Sequence, residues 1–215
     1  MRKVHLPLLT LLVIAVLVLP MCGCAKKPIE PPAPPTPTPP PPAATTAPAP
    51  AAGAAGEAKW MENPKVADIP DAAIKGMVNG VAFEAKTVRV VKGDGKSKLE
   101  IMDKAADKPT GMVSDATEVK LEFVLEPGKP GEFVKAMADK DPTNTDGWYS
   151  YQQKDGSPMT MNSDWSVALK IDSWTLAKDP ADASVLGTVK GRVFLVFKDD
   201  PKTFVAGTFE GPYYQ

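Results

Sequence analysis

Asp139, Asp141, Asn144 and Asp146 place four oxygen-bearing side chains close together, the donor type that a hard cation such as calcium takes. The frame departs from the EF-hand loop. Counted from Asp139, the fifth position is Thr143, the sixth is Asn144 rather than Gly, and the twelfth is Ser150 in place of a bidentate Glu. With Pro142 and Gly147 among them, the same residues are also turn formers. Trp148, Tyr149 and Tyr151 follow at once. Aromatic rings beside polar oxygens stack on sugar faces, which makes a glycan or peptidoglycan a candidate ligand. Trp and Tyr equally fill a β core with the polar tip at its edge. Trp165 and Trp174, in strand-like runs, read as core; Trp148 and Tyr149, beside a polar loop, read as exposed.

What is missing narrows the chemistry further. The single histidine is His5 and the only two cysteines are Cys22 and Cys24. No imidazole stands anywhere after residue 5. Ser-His-Asp and Cys-His catalysis and histidine-ligated zinc or iron are therefore excluded from the rest of the chain. A hydrolase working through two carboxylates on a glycan, or a Ser-Lys pair, stays open. The acidic residues are scattered among turns and strand faces, however, and no pair stands out. No residue is assigned a catalytic role, and no cofactor other than calcium is expected.

Any such site must be positioned by strands. Val119, Leu121, Phe123 and Leu125 alternate with Lys120, Glu122 and Val124; Trp165, Val167, Leu169 and Ile171 alternate with Ser166, Ala168 and Lys170. Val189, Val193, Leu195 and Phe197 share one parity of Val185 to Phe197. Thr87–Val91 and Leu99–Met102 flank Gly93-Asp94-Gly95, a hairpin turn. Thr203 to Glu210 follows the turn Asp199-Asp200-Pro201-Lys202. Gly131 to Asp139 carries Phe133, Val134 and Met137 at helical spacing after Pro130, and reads as one helix. The expected fold class is all-β: an antiparallel sandwich or barrel over residues 57–215, with at most one or two short helices. With no cysteine in that region, burial alone must hold it together.

One frame recurs. Gly76-Met77-Val78-Asn79-Gly80-Val81-Ala82-Phe83 matches Gly187-Thr188-Val189-Lys190-Gly191-Arg192-Val193-Phe194 and Gly207-Thr208-Phe209-Glu210-Gly211-Pro212-Tyr213-Tyr214 in its glycines, its apolar third residue and its aromatic eighth. Within a strand the two glycines face one way, which admits a close neighbour or a bulge. Asn79-Gly80 alternatively makes a tight hairpin turn.

The first residues carry an address. Arg2 and Lys3 precede a 12-residue run, Leu8 to Leu19, that is apolar apart from Thr10 and is bounded by Pro7 and Pro20. A spanning helix needs about 20 apolar residues, so the length fits the core of a cleaved export signal, not a membrane span. Met21-Cys22-Gly23-Cys24 follows. This segment resembles the lipobox of bacterial lipoproteins, with the small Gly23 immediately before Cys24. The resemblance implies a thioether-linked diacylglycerol on Cys24, with Cys22 as the alternative register. Residues 1–23 then form the signal peptide. Acylation of Cys24 leaves a mature chain with no free thiol; acylation of Cys22 leaves Cys24 as an odd one.

Residues 24–56 read as a lipidated N-terminus and a disordered stalk. Pro28 to Pro50 holds 12 of the 24 prolines in 23 residues, mostly separated by Ala and Thr. Nothing there can build a core, and polyproline II geometry would carry the segment about 70 Å. Loss of Arg2 and Lys3 leaves 23 basic residues against 26 acidic, a net charge of −3, with no basic stripe. Nucleic acid is not an expected partner. The expected protein is exported and lipid-anchored to a bacterial membrane, the outer membrane or cell surface rather than the inner. Its expected partners are that membrane, reached through the lipid, and peptidoglycan, another glycan or an envelope protein.

Overall fold

The computed structural model describes residues 58–215 apart from Met112, Asp141, Pro142 and Asp179. Cys22, Cys24, the signal and the proline stretch lie outside the described residues. Eleven strands form the domain: β1 (Lys75–Val78), β2 (Val81–Glu84), β3 (Thr87–Lys92), β4 (Ser97–Met102), β5 (Glu118–Phe123), β6 (Gly131–Lys135), β7 (Gly147–Gln152), β8 (Pro158–Met161), β9 (Trp165–Leu176), β10 (Val185–Phe197) and β11 (Thr203–Tyr214). The helical content among the described residues is one 3-10 turn, Val66–Asp68. The fold is all-β: one curled, mostly antiparallel sheet in the order β6-β9-β10-β11-β3-β4-β5-β7-β8.

Curling follows from a divided edge on β11. One side of β11 pairs with β10 along its length. The other side pairs antiparallel with β1 at Phe204–Ala206, bridges Ala73 at Thr208, and ends parallel to β3 at Tyr213 and Tyr214. The two runs that diverge there face each other across a single core. Val90, Leu99, Val119, Leu121 and Phe123 come from one run; Val167, Leu169, Val193, Leu195 and Val205 come from the other. The alternation in β5, β9 and β10 points these residues inward, as their two-residue period requires. Trp165 and Trp174 are buried in this core, as the strand pattern implied.

A second, smaller cluster covers the opposite face of the long strands. Ala168, Phe194, Val196, Phe204 and Ala206 pack there under Trp60, Met61, Val66 and Ile69. The Trp60 indole N–H donates to the Phe197 carbonyl at 2.9 Å, and the Ser166 hydroxyl donates to the Glu62 carbonyl. The segment that leads into the domain is thus strapped across β9, β10 and β11.

Two local expectations resolve at this level. Gly131 to Asp139 does not form a helix. Gly131–Lys135 is edge strand β6 on β9, with Glu132 opposite Lys170, and a turn at Ala136–Asp139 ends it. Three apolar residues set too little helical period to compete with a full ladder of strand hydrogen bonds. Phe133 turns onto the core, whereas Val134 faces outward and is exposed. Asn79-Gly80 takes the tight-turn alternative, with φ of 50° and 75°.

The other two repeats of the glycine frame lie in strands. At Gly191, where the β9–β10 register shifts, an added Cβ would sit 2.4 Å from the Lys170 carbonyl oxygen. At Gly207 it would sit 2.5 Å from the Ala72 oxygen, and at Gly211 2.2 Å from the Val88 oxygen. The β11 glycines thus let two other segments cross closely. Gly207 also has φ +149°, a conformation side chains rarely adopt. Gly207→Ala should cost about 2–3 kcal/mol, read as a lowered thermal midpoint, because both strain and a backbone clash oppose it. An unchanged midpoint would show that the divided edge of β11 does not need the glycine.

Candidate functional site

The residues flagged for chemistry separate by strand parity. In β7, Gly147, Tyr149 and Tyr151 point to the core side, and Trp148 and Ser150 to the other. Tyr149 is 1% exposed, which corrects its assignment as a ligand-facing aromatic. Its ring meets Phe197 edge-on at 5.1 Å and its hydroxyl donates to Asp199. Burial, then the neighbouring Asp199 carboxylate, push this phenol well above its ordinary range. The polar loop before it suggests exposure; one residue of register puts the ring inside. Tyr151 stacks on Tyr149 at 6.1 Å and is half-buried at the core margin. Gly147 is needed locally, because an added Cβ would lie 2.9 Å from the Trp165 indole.

Trp148 lines an open cleft of about 590 Å³. Lys96 from the β3–β4 turn, Glu122 of β5, Asn144 to Asp146 of the preceding loop, Thr160 of β8 and Asn162 complete its walls. The Lys96 ammonium lies 3.1 Å from a Glu122 carboxylate oxygen and also donates to the Asn144 carbonyl. Asp146 accepts from the Gly147 N–H at 2.8 Å and from the Asn162 amide at 3.1 Å. Its carbonyl accepts the Glu122 N–H at 2.7 Å, so the loop is stitched to β5. Across β7 and β8, the Ser150 and Thr160 hydroxyls are 3.0 Å apart. The cleft therefore offers a partly exposed indole beside fixed hydroxyl, amide, ammonium and carboxylate groups.

The four oxygen donors do not all face this cleft. Asn144, with φ 50°, and Asp146 do. The Asp139 carboxylate accepts the Ala136 N–H at 3.0 Å within its own turn. Asp141 lies outside the described residues. Among the described residues no three His, Cys, Asp or Glu side chains converge as a metal site.

A charged ladder on β3, β4 and β5 escaped the sequence reading. Arg89, Glu100 and Lys120 are in register across these strands. Arg89 Nε is 2.6 Å from Glu100, Lys98 Nζ is 2.8 Å from the same carboxylate, and Lys120 Nζ is 2.7 Å from Glu118. Arg89, Glu100 and Glu118 are buried. The β4–β5 loop covers them, because the Arg89 guanidinium donates to the carbonyls of Lys108, Pro109 and Gly111. The usable signal was the polar parity of three consecutive strands, which carries opposite charges opposite one another. For the cleft, the local signal covers Asn144, Asp146 and Trp148 but not its other walls. Lys96, Glu122, Thr160 and Asn162 belong to separate segments that only the sheet brings together.

Burial pushes the Glu100 carboxyl upward, but hydrogen bonds and charge from Lys98 and Arg89 outweigh it and hold the group below its ordinary value of 4.5. Comparison with protein families, with curated proteins and with solved structures found no match.

Two outcomes follow from this geometry. Glu100's lowered folded value means that its contribution to stability is present above 4.5 and lost as pH falls through the folded value. Arg89→Met should cost about 3 kcal/mol at neutral pH, from loss of a buried ion-pair partner, and should flatten the acid limb of a melting-temperature profile. An unaltered acid limb would show that Arg89 does not set it. For calcium, the Lys96 ammonium already occupies the Asn144 carbonyl. Millimolar calcium or a chelator should leave the melting temperature unchanged, whereas a calcium-dependent rise would establish the site.

Proposed function

We propose that this protein is an exported lipoprotein that displays its β domain from a bacterial membrane and binds a glycan of the cell envelope in the Trp148 cleft. The observation that carries the binding reading is the indole of Trp148 set among Lys96, Glu122, Asn144, Asp146, Thr160 and Asn162. A sugar ring has an apolar face and a rim of hydroxyls. An aromatic plane takes the face, and amide, carboxylate and ammonium groups held by their own hydrogen bonds take the rim at little ordering cost. Cys24 carries the lipid in this reading, with Cys22 as the other register. The stretch Pro28 to Pro50 holds the domain away from the bilayer. Peptidoglycan is the envelope glycan within reach of such a tether.

The second reading is a carboxylate-dependent glycan hydrolase, and Glu122 and Asp146 lining one cleft is the observation in its favour. A general acid needs a site that disfavours its charge. Here Glu122 faces the Lys96 ammonium and Asp146 takes two N–H donors, which suits fixed binding groups better than a proton donor.

The test uses the full-length chain. Tri-N-acetylchitotriose should change tryptophan fluorescence saturably, and Trp148→Ala should weaken binding about tenfold, or ~1.4 kcal/mol, at an unchanged melting temperature. Binding that survives Trp148→Ala would remove the cleft from the reading; cleavage of the saccharide, abolished by Glu122→Gln, would establish the hydrolase. In the same preparation, intact mass of membrane-extracted protein should show the lipid lost in Cys24→Ser. Loss only in Cys22→Ser would place the acyl group on the other cysteine.

A further inference from the structure

A second pocket, of about 440 Å³, opens between the tip of the β1–β2 hairpin and the β7–β8 hairpin, and shares no lining residue with the Trp148 cleft. Its apolar walls are Val78, Val81 and Tyr151. Val81 has the same parity as the core residue Phe83, yet it is 68% exposed. The inner face of the hairpin thus runs out of cover at its tip. Lys154, at the rim, is exposed and joins no ion pair among the described residues.

The pocket adjoins an open strand edge. Among the described residues β2 pairs only with β1. Val78 faces Val81 across the two-residue turn, and Gly76 faces Phe83. Those two pairs face inward, so Ala82 and Glu84 direct their N–H and C=O groups away from β1. The nearby carboxylates are already engaged: Asp155 accepts from the Ser157 N–H and hydroxyl, and Glu84 lies beside Lys75 and Lys86. Lys154 is left as the cation facing an incoming group.

We infer that this is a binding site for the C-terminus of an extended peptide. The peptide adds a strand to the Ala82–Glu84 edge. Its last side chain, an apolar one, fills the space between Val78, Val81 and Tyr151. The terminal carboxylate meets Lys154. Main-chain pairing supplies affinity in this mode, and the pocket with its cation selects a chain end over an internal segment. The inference is independent of the glycan reading.

The test is fluorescence anisotropy of the peptide Ser-Thr-Ser-Thr-Leu, labelled at its N-terminus, against the full-length chain. The free-acid peptide should bind saturably, and its C-terminal amide about fivefold more weakly. Lys154→Gln, an exposed position, should erase the difference between acid and amide. Equal binding of acid and amide by the unmodified chain, or no saturable binding at millimolar protein, overturns the inference. Displacement of the peptide by tri-N-acetylchitotriose also overturns it, by moving the peptide to the Trp148 cleft. Failure of the saccharide to bind while the acid–amide difference holds would reject the glycan reading and leave this one standing.

Discussion

β11 serves three partners on one edge, and Gly207 and Gly211 stand where two of them cross it closely. At those points the backbone of residues 72–74 and the start of β3 come so near that a Cβ would lie 2.5 Å and 2.2 Å from carbonyl oxygens. That approach lets β1 and β3 dock on the same strand. With it, the two diverging runs close on Val90, Leu121, Val193, Val205 and their neighbours. No disulfide assists, since the cysteines stand at 22 and 24. A domain of this size can rely on burial, provided the sheet curls.

Everything polar on the surface inherits its place from that curl. β3, β4 and β5 present one parity to the core and the other to the β4–β5 loop, which turns Arg89, Glu100 and Glu118 into a buried charged layer. Such a layer is a weak source of net stability, because desolvation opposes it; its effect here is to fix one loop by three carbonyls on one guanidinium. Further along the same run, the outward parity of β5, β7 and β8 is left uncovered, and the Trp148 cleft forms there. The free edge of β2, on the short branch that β1 carries from β11, adjoins the second pocket.

The legible part of this chain was its periodic part. β5, β9, β10, the β3–β4 hairpin and the start of β11 stood out because two-residue alternation reports burial on one face directly. Gly131 to Lys135 did not, since an edge strand with few apolar residues carries little period of any kind. The aromatic triplet shows the limit most clearly. Trp148, Tyr149 and Tyr151 share composition and neighbourhood, yet one lines the cleft, one is core and one lines the other pocket.

The sequence by itself determined the fold class, the absence of imidazole and thiol chemistry from the domain, and the signal, cysteine and proline pattern from which export and anchoring are read. Each of these depends on composition or on short-range period, which a chain carries without folding. Which oxygen donors face one another, that Lys96 and Glu122 meet beside Trp148, and that Arg89 lies under a loop were decided only by the tertiary structure. Those contacts join residues tens of positions apart, and strand order and register, not spacing along the chain, set their distances.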